Sequence, residues 1–505
     1  MNATFSCSGS GRQAAGSAGS GGDAAWRLLA GFREEVYRCL TGRPDALFEV
    51  ADAVLCEDRR VTDLARLSLV PEFTRGHGAL YDGLNEGRVE FARLRRAVAG
   101  LALPQWEDGR IRLAADVCNW LRPDAEASPE RLFCHVRGRG RNAGQVVPGW
   151  PYSFVAALGP GRSSWTLPLD AVRLGPGDDA TEVTAAQLRE VVARLIAAGH
   201  WKPGDQRIII VMDAGYSAAR LAFLLAGLPV VLVVRVRSDR VYYRPPRPRA
   251  PGVAGRTARH GPPVRCGDPG TWGIADLEAD AESARHGPLR VTAWARVHQM
   301  IYSACGGWED WPPGREFPVI EGTLIRLAVT RPAPGYPDLE PMWLWASDPG
   351  AGLDADATGV LWQAYLRRFD LEHLFRFIKS RLGWNRPMLR DPAAADRWTW
   401  LIIACYAQLR LARTIAAGIR LPWQRPQARP GKPQVMTPGR VRAGFRLLRE
   451  TLGTPASTGK PARPGPGRPP GSKNKRRAPR QPVGKHNPKP SKTAKNKNKR
   501  IKQTG

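Results

Sequence analysis

Residues 207–213 read Arg-Ile-Ile-Ile-Val-Met-Asp, and residues 229–236 read Pro-Val-Val-Leu-Val-Val-Arg-Val. Neither run alternates apolar with polar side chains, so each predicts a strand buried on both faces and a sheet with helices on either side. Ala214-Gly215-Tyr216 and a helix running to Leu225 supply the crossover between them. Upstream, Arg110–Asp116 (RIRLAAD), Tyr152–Leu158 (YSFVAAL) and Ser164–Leu169 (SWTLPL) are bounded by Pro and Gly and predict three more strands. A helix from about Val183 to Gly199, opening on Glu182, follows them. The predicted order is three strands, helix, strand, helix, strand.

Two of these strands end on acids. Asp116 closes the first and Asp213 the fourth, and ligands collect at strand ends of open α/β sheets. A lone strand-end Asp is also an ordinary turn or cap residue, so either one carries little weight by itself. Further on, Tyr365–Lys379 (YLRRFDLEHLFRFIK) predicts one continuous helix. At a helical period Tyr365, Arg368, Glu372 and Lys379 share a stripe roughly 60° wide, with Arg376 beside it. Leu371, Leu374, Phe375, Ile378 and Leu382 form the adjoining apolar flank. A stripe of this kind is a solvated face with an Arg368/Glu372 pair, or it presents one acid and several cations to an anionic partner.

The charge balance favours an anionic partner. The 505 residues carry a formal net charge of +30, with a pI near 10.6. Beyond Gly453 the chain is Pro/Lys/Gly/Asn-rich, a composition that predicts disorder, and from Lys460 onward it holds Lys and Arg with no Asp or Glu. Within it Gly467-Arg468-Pro469-Pro470-Gly471-Ser472-Lys473 resembles an AT-hook, in which Arg468 and Lys473 would enter an A·T minor groove; a general polybasic tail is the other reading. The eight cysteines show neither C-x-x-C nor a paired His spacing, which excludes a recognisable zinc site or disulfide framework. No apolar run is long enough to span a membrane and the Gly/Ser-rich start lacks a signal-peptide pattern, so a cytoplasmic, nucleoid-associated protein is expected.

The expected organisation is a disordered segment at 1–23, a helical block at 24–104 that binds DNA ends or only packs on the rest, and a catalytic α/β domain at 105–425. A linker and basic tail at 426–505 complete it. Between about 240 and 341 a Pro/Arg-rich loop (Tyr242–Arg259) and short strand-like runs predict a mostly β insertion over the site. Its Trp272, Trp294, Trp308 and Trp311 either stack on unpaired bases or pack its core.

Tyr365-x2-Arg368-x3-Glu372-x6-Lys379 resembles the Y-R-E-K signature of the DDE-type insertion-sequence transposases, and Asp213-Ala-Gly-Tyr216 is similar to the motif around that family's second catalytic Asp. The resemblance spans roughly Arg110 to Arg420 and implies a ribonuclease-H-like core with a β insertion, agreeing with the strand order read above. It implies that Asp213 and Glu372, with Asp116 as the first acid, are catalytic ligands of two Mg²⁺ ions, with Mn²⁺ as a substitute, and that Tyr365, Arg368 and Lys379 contact DNA phosphates; Arg376, beside the stripe, is expected to contact DNA with them. Two hard divalent ions suit phosphodiester cleavage because they activate the attacking and stabilise the leaving oxygen. The first acid departs from the family pattern: Asp116-Val117-Cys118 lacks the usual small polar pair, leaving Asp124 and Asp348 as alternatives. The expected partners are the element's terminal inverted repeats and target DNA, engaged by a homodimer and no membrane. A ribonuclease-H-fold nuclease without strand transfer, or a non-catalytic DNA-binding descendant, are the competing readings.

Overall fold

The computed structural model describes residues 20–137, 144–161, 165–248, 258–283, 286–302, 307–331, 340–348, 350, 353–419, 436–459, 471 and 478–484. The longer helices of the N-terminal part come first: α1 (Ser20–Arg38), α2 (Pro44–Cys56), α3 (His77–Glu86) and α4 (Phe91–Ala99), with a single helical turn at Leu64–Leu67 between α2 and α3. The strands β1 (Arg112–Leu121), β2 (Arg131–Arg137), β3 (Gly144–Ala157) and β4 (Leu167–Arg173) follow. Helix α5 (Ala180–Ala197) leads to β5 (Ile208–Met212), and α6 (Ala218–Leu224) to β6 (Val230–Val236). Next come β7 (Leu277–Ser283), β8 (Gly287–Val297), β9 (Gly322–Val329) and β10 (Met342–Ala346). The helices α7 (Ala355–Leu366), α8 (Phe369–Ser380), α9 (Pro392–Leu411), α10 (Pro438–Ala443) and α11 (Phe445–Leu452) close the core.

One mixed sheet runs β7-β8-β9-β10-β6-β5-β1-β3-β2, with β4 also paired to β3. The strands β1, β5 and β6 are parallel to one another, while β1 pairs antiparallel with β3, and β3 with β4. Every residue of β5 is buried, as its unbroken apolar run requires. Helix α5 opens on Asp179, whose carboxylate accepts the backbone N–H of Thr181 and Glu182, so the cap lies earlier than Glu182. On one face α7 packs on β5 and β6, and α8 on β1. Below α8, Trp384 is fully buried among Trp120, Tyr152 and Phe154.

The N-terminal block shares a core with the C-terminal helices, because α9 packs on α1, α2 and α3. Arg33 of α1 is buried and donates to Asp52 of α2 at 2.8 and 3.0 Å and to Gln408 of α9 at 2.8 Å. Arg449 of α11 adds a second cation 3.3 Å from the same fully buried carboxylate. A charge this deep is tolerated only because its oxygens are met by donors.

Several sequence expectations change. Helix α1 begins at Ser20, inside the segment expected to be disordered, and residues 1–19 lie outside the described ones. Strand β1 continues past Asp116 to Leu121, because its far half pairs with the early part of β3. The strands of the insertion do not form a separate layer: β10 pairs with β6 and carries β9, β8 and β7 on as the same sheet. Its tryptophans pack inward: Trp294 is buried against Trp272 and Trp343, and Trp308 against Trp311 and Phe223. The tail is ordered at two places, where Ser457 and Gly459 donate to Asp45 and Thr74, and where Val483–Gly484 pairs in parallel with β2. Arg468 and Lys473 lie outside the described residues.

Candidate functional site

The parallel register of β1 and β5 pairs Ala115 with Met212, so the next residue on each strand is an acid, Asp116 and Asp213. Strand β5 ends there while β1 runs on, which leaves the Asp116 side chain beside an open strand end. Side chains alternate along β1, so Asp116, Cys118 and Trp120 face the same way, toward α8.

Glu372 arrives on α8, but not on one continuous helix. The Tyr365–Lys379 stretch breaks at Arg367–Arg368, where Arg368 N–H bonds Tyr365 O at 2.9 Å and Leu371 N–H bonds Arg368 O at 3.0 Å. These tighter three-residue bonds end α7 at Leu366 and start α8 at Phe369. Glu372 therefore lies in the first turn of a helix, where the macrodipole favours a carboxylate.

Arg368, at the N-terminal boundary of α8, stands among the three acids. Its Nη1 donates to Asp116 Oδ2 at 2.8 Å, and its Nη2 lies 3.2 Å from Glu372 Oε1 and 4.0 Å from Asp213 Oδ2. Its side chain is 12% exposed, against 24% for Asp116, 28% for Asp213 and 43% for Glu372. Burial pushes the Asp116 carboxyl up to about 6, helped by the charges of Asp213 and Glu372, although Arg368 and the Val117 N–H pull against it. Burial opposes the Arg368 charge, but Tyr365, Asp116 and Asp213 outweigh it and hold its pKa above the ordinary arginine value.

Tyr365 closes α7, is buried, and directs its hydroxyl at Asp213 Oδ1, 3.5 Å away. Burial pushes its phenol up to about 12, so at neutral pH it is a donor. Lys379 lies two turns beyond Glu372, against Cys118 and 5.7 Å from the Trp384 ring centroid. Burial pushes the Cys118 thiol up to about 11 while Lys379 acts in the other direction. Arg376 is exposed on the outer side of α8. Asp124 sits on the exposed loop beyond Leu121, past the far end of β1. Asp348 pairs with Arg207, at the start of β5 and so at the opposite end of that strand from Asp213. The structure brings neither alternative to the other two acids.

A cavity of about 590 Å³ opens directly after Asp213, lined by Ala214, Gly215, Arg235, Arg240, Tyr243 and Tyr302 among others. Arg235 is exposed at the end of β6, and its charge is felt at Tyr365. The reading of the sequence passed over it, although a lone cation in an otherwise apolar strand is a signal.

The three carboxylates are the hard oxygen donors that Mg²⁺ or Mn²⁺ takes, so the donor chemistry fits. Here the Arg368 guanidinium stands among them. Among the described residues no group of three or more acid, His or Cys side chains closes into a metal-binding cluster. Also among the described residues, no helix is long and apolar enough to cross a membrane.

Residues 35–299 match the family described as DDE superfamily endonuclease. The matched span contains Asp116 and Asp213 and ends before α7 and α8, which carry the Tyr365–Lys379 stripe. No curated protein matches the chain.

Proposed function

This chain belongs to the DDE superfamily endonuclease family, and we propose that it is a DNA transposase of an insertion sequence, cutting phosphodiesters at the ends of its element and joining them to target DNA. One observation carries this reading: Asp116 and Asp213 stand side by side on parallel strands, and Arg368 links both to Glu372. The β3/β1/β5/β6 arrangement, with antiparallel strands on one side and parallel ones on the other, supports a ribonuclease-H-like core.

In this proposal Asp116, Asp213 and Glu372 hold two Mg²⁺ ions, for which Mn²⁺ can substitute. Bound there, the ions supply activation of the attacking oxygen and charge neutralisation at the leaving one. The chain's own residues do the rest. Tyr365 keeps Asp213 oriented through its hydroxyl. Arg235, Arg376 and Lys379 neutralise backbone phosphates of the strand laid across α8 and the adjoining cavity, which positions DNA without reading its sequence. The helical block would bear on the element ends and the basic tail would hold flanking duplex. The DNA complex would be a homodimer.

The test is a gel assay on a duplex ending in the element's terminal repeat. Wild type should give nicked and then joined products with Mg²⁺, whereas Glu372→Ala should give neither and still retain the duplex. Full cleavage by Glu372→Ala refutes the assignment. Because the matched family is described as an endonuclease, cleavage without joined products would select a nuclease that lacks strand transfer.

A further inference from the structure

We propose that Arg368 is a displaceable internal counter-ion, which fills the space among the three carboxylates until DNA phosphate draws it away and only then admits divalent metal. This deepens the proposed function by assigning that site a regulation.

The geometry carries it. One guanidinium reaches all three acids, at 2.8 Å from Asp116, 3.2 Å from Glu372 and 4.0 Å from Asp213. A metal ion bound to the same oxygens would lie within a few ångströms of a fixed positive charge, so the two cations compete for one place. Arginine does not relieve the conflict by losing its proton, and these neighbours raise its pKa further. The side chain must therefore move.

Its position allows movement. Arg368 is the boundary residue between α7 and α8, its backbone fixed by the tightened turn there. Its neighbour Arg367 is pinned, donating to Gly159 O at 2.8 Å and pairing with Asp370 at 2.5 Å, so the backbone can stay while the Arg368 side chain swings. A destination exists nearby: the Arg368 guanidinium lies 6.0 Å from the Tyr365 ring centroid, and exposed Arg235, whose charge also reaches Tyr365, lines the cavity that opens after Asp213 and can receive a phosphate there. Phosphate takes a guanidinium bidentately and competes well with carboxylate for it. Tyr365, whose hydroxyl faces Asp213, remains to orient that acid once Arg368 has left.

The experiment measures Mn²⁺ binding by electron paramagnetic resonance of the free ion, on the full chain, with and without a short blunt duplex. Without DNA, Arg368→Gln should bind Mn²⁺ roughly tenfold or more tighter than wild type, a coupling within the usual allosteric range. The duplex should tighten Mn²⁺ binding to wild type by a similar factor and leave Arg368→Gln nearly unchanged. Arg368→Lys, which keeps a cation near the acids, should stay close to wild type. Equal or weaker Mn²⁺ binding by Arg368→Gln, or wild-type affinity that ignores DNA, overturns the proposal. Asp213→Asn in the Arg368→Gln background separates the two levels. If it abolishes the Mn²⁺ signal, the ion sits on the catalytic acids; if it does not, the proposed active site itself is wrong. The comparison of wild type with and without duplex needs no variant to fold.

Discussion

Asp116→Asn should stabilise the protein while removing its activity, and the gain should depend on pH in a defined way. In the folded chain burial lifts the Asp116 carboxyl from 3.8 to about 6. A raised carboxyl pKa means that folding favours the protonated form. Its contribution is fully present below the unfolded value and is lost as pH rises through the folded one. At pH 8 the charged group therefore weakens the fold by about 3 kcal/mol relative to a neutral isostere, from roughly two pKa units at about 1.4 kcal/mol each. At pH 5 the same linkage gives about 1.5 kcal/mol, and below pH 4 almost nothing. Asparagine keeps the size and one acceptor oxygen for Arg368, which retains Glu372 and Asp213 as partners. Urea denaturation of wild type and Asp116→Asn at pH 4, 5, 6 and 8 gives the difference directly. A difference that is flat with pH, or a variant less stable at pH 8 than at pH 4 relative to wild type, would refute the reasoning.

Other outcomes follow from the packing. Arg33→Ala leaves fully buried Asp52 with only Arg449, and unfolding in urea should show a loss of about 3–5 kcal/mol; a loss near zero would contradict the shared helical core. Trp384→Ala opens a hole among Trp120, Tyr152 and Phe154 and should cost about 3–5 kcal/mol by the same measurement. Removing residues 485–505 deletes Lys and Arg with no acids and should flatten the salt dependence of non-specific duplex binding, read by fluorescence anisotropy, while the position of cleavage stays the same.

The sheet's centre was legible because β5 and β6 have one physical reading: a short, unbroken apolar run bounded by turn residues fits only a strand covered on both sides. Strand β7 was missed although its burial alternates, since Leu-Glu-Ala-Asp-Ala-Glu-Ser has weak strand propensity and its pairing with β8 decides it. Strand β2, with Arg, Cys and His among its residues, gave no clear period either. The Tyr365–Lys379 stripe was visible, but the break at Arg367–Arg368 was not, because a tightened turn changes the hydrogen bonds and leaves the spacing of side chains nearly intact. Arg368's place among the acids was also out of reach. It depends on β1 and β5 meeting α8, and Asp116 lies 252 residues from Arg368. Tyr365 reads on the sequence as a surface contact and is buried in the fold, its hydroxyl turned to Asp213.

The central claim is that three acids far apart in the chain hold metal at one place when DNA is bound. Fe²⁺ can replace Mg²⁺ at carboxylate sites and, with ascorbate and peroxide, cuts the polypeptide beside its ligands. In the presence of duplex DNA the account predicts cuts clustered near residues 116, 213 and 372, suppressed by excess Mg²⁺ and absent from Asp213→Ala. Cuts elsewhere, or an unchanged pattern in Asp213→Ala, would contradict it.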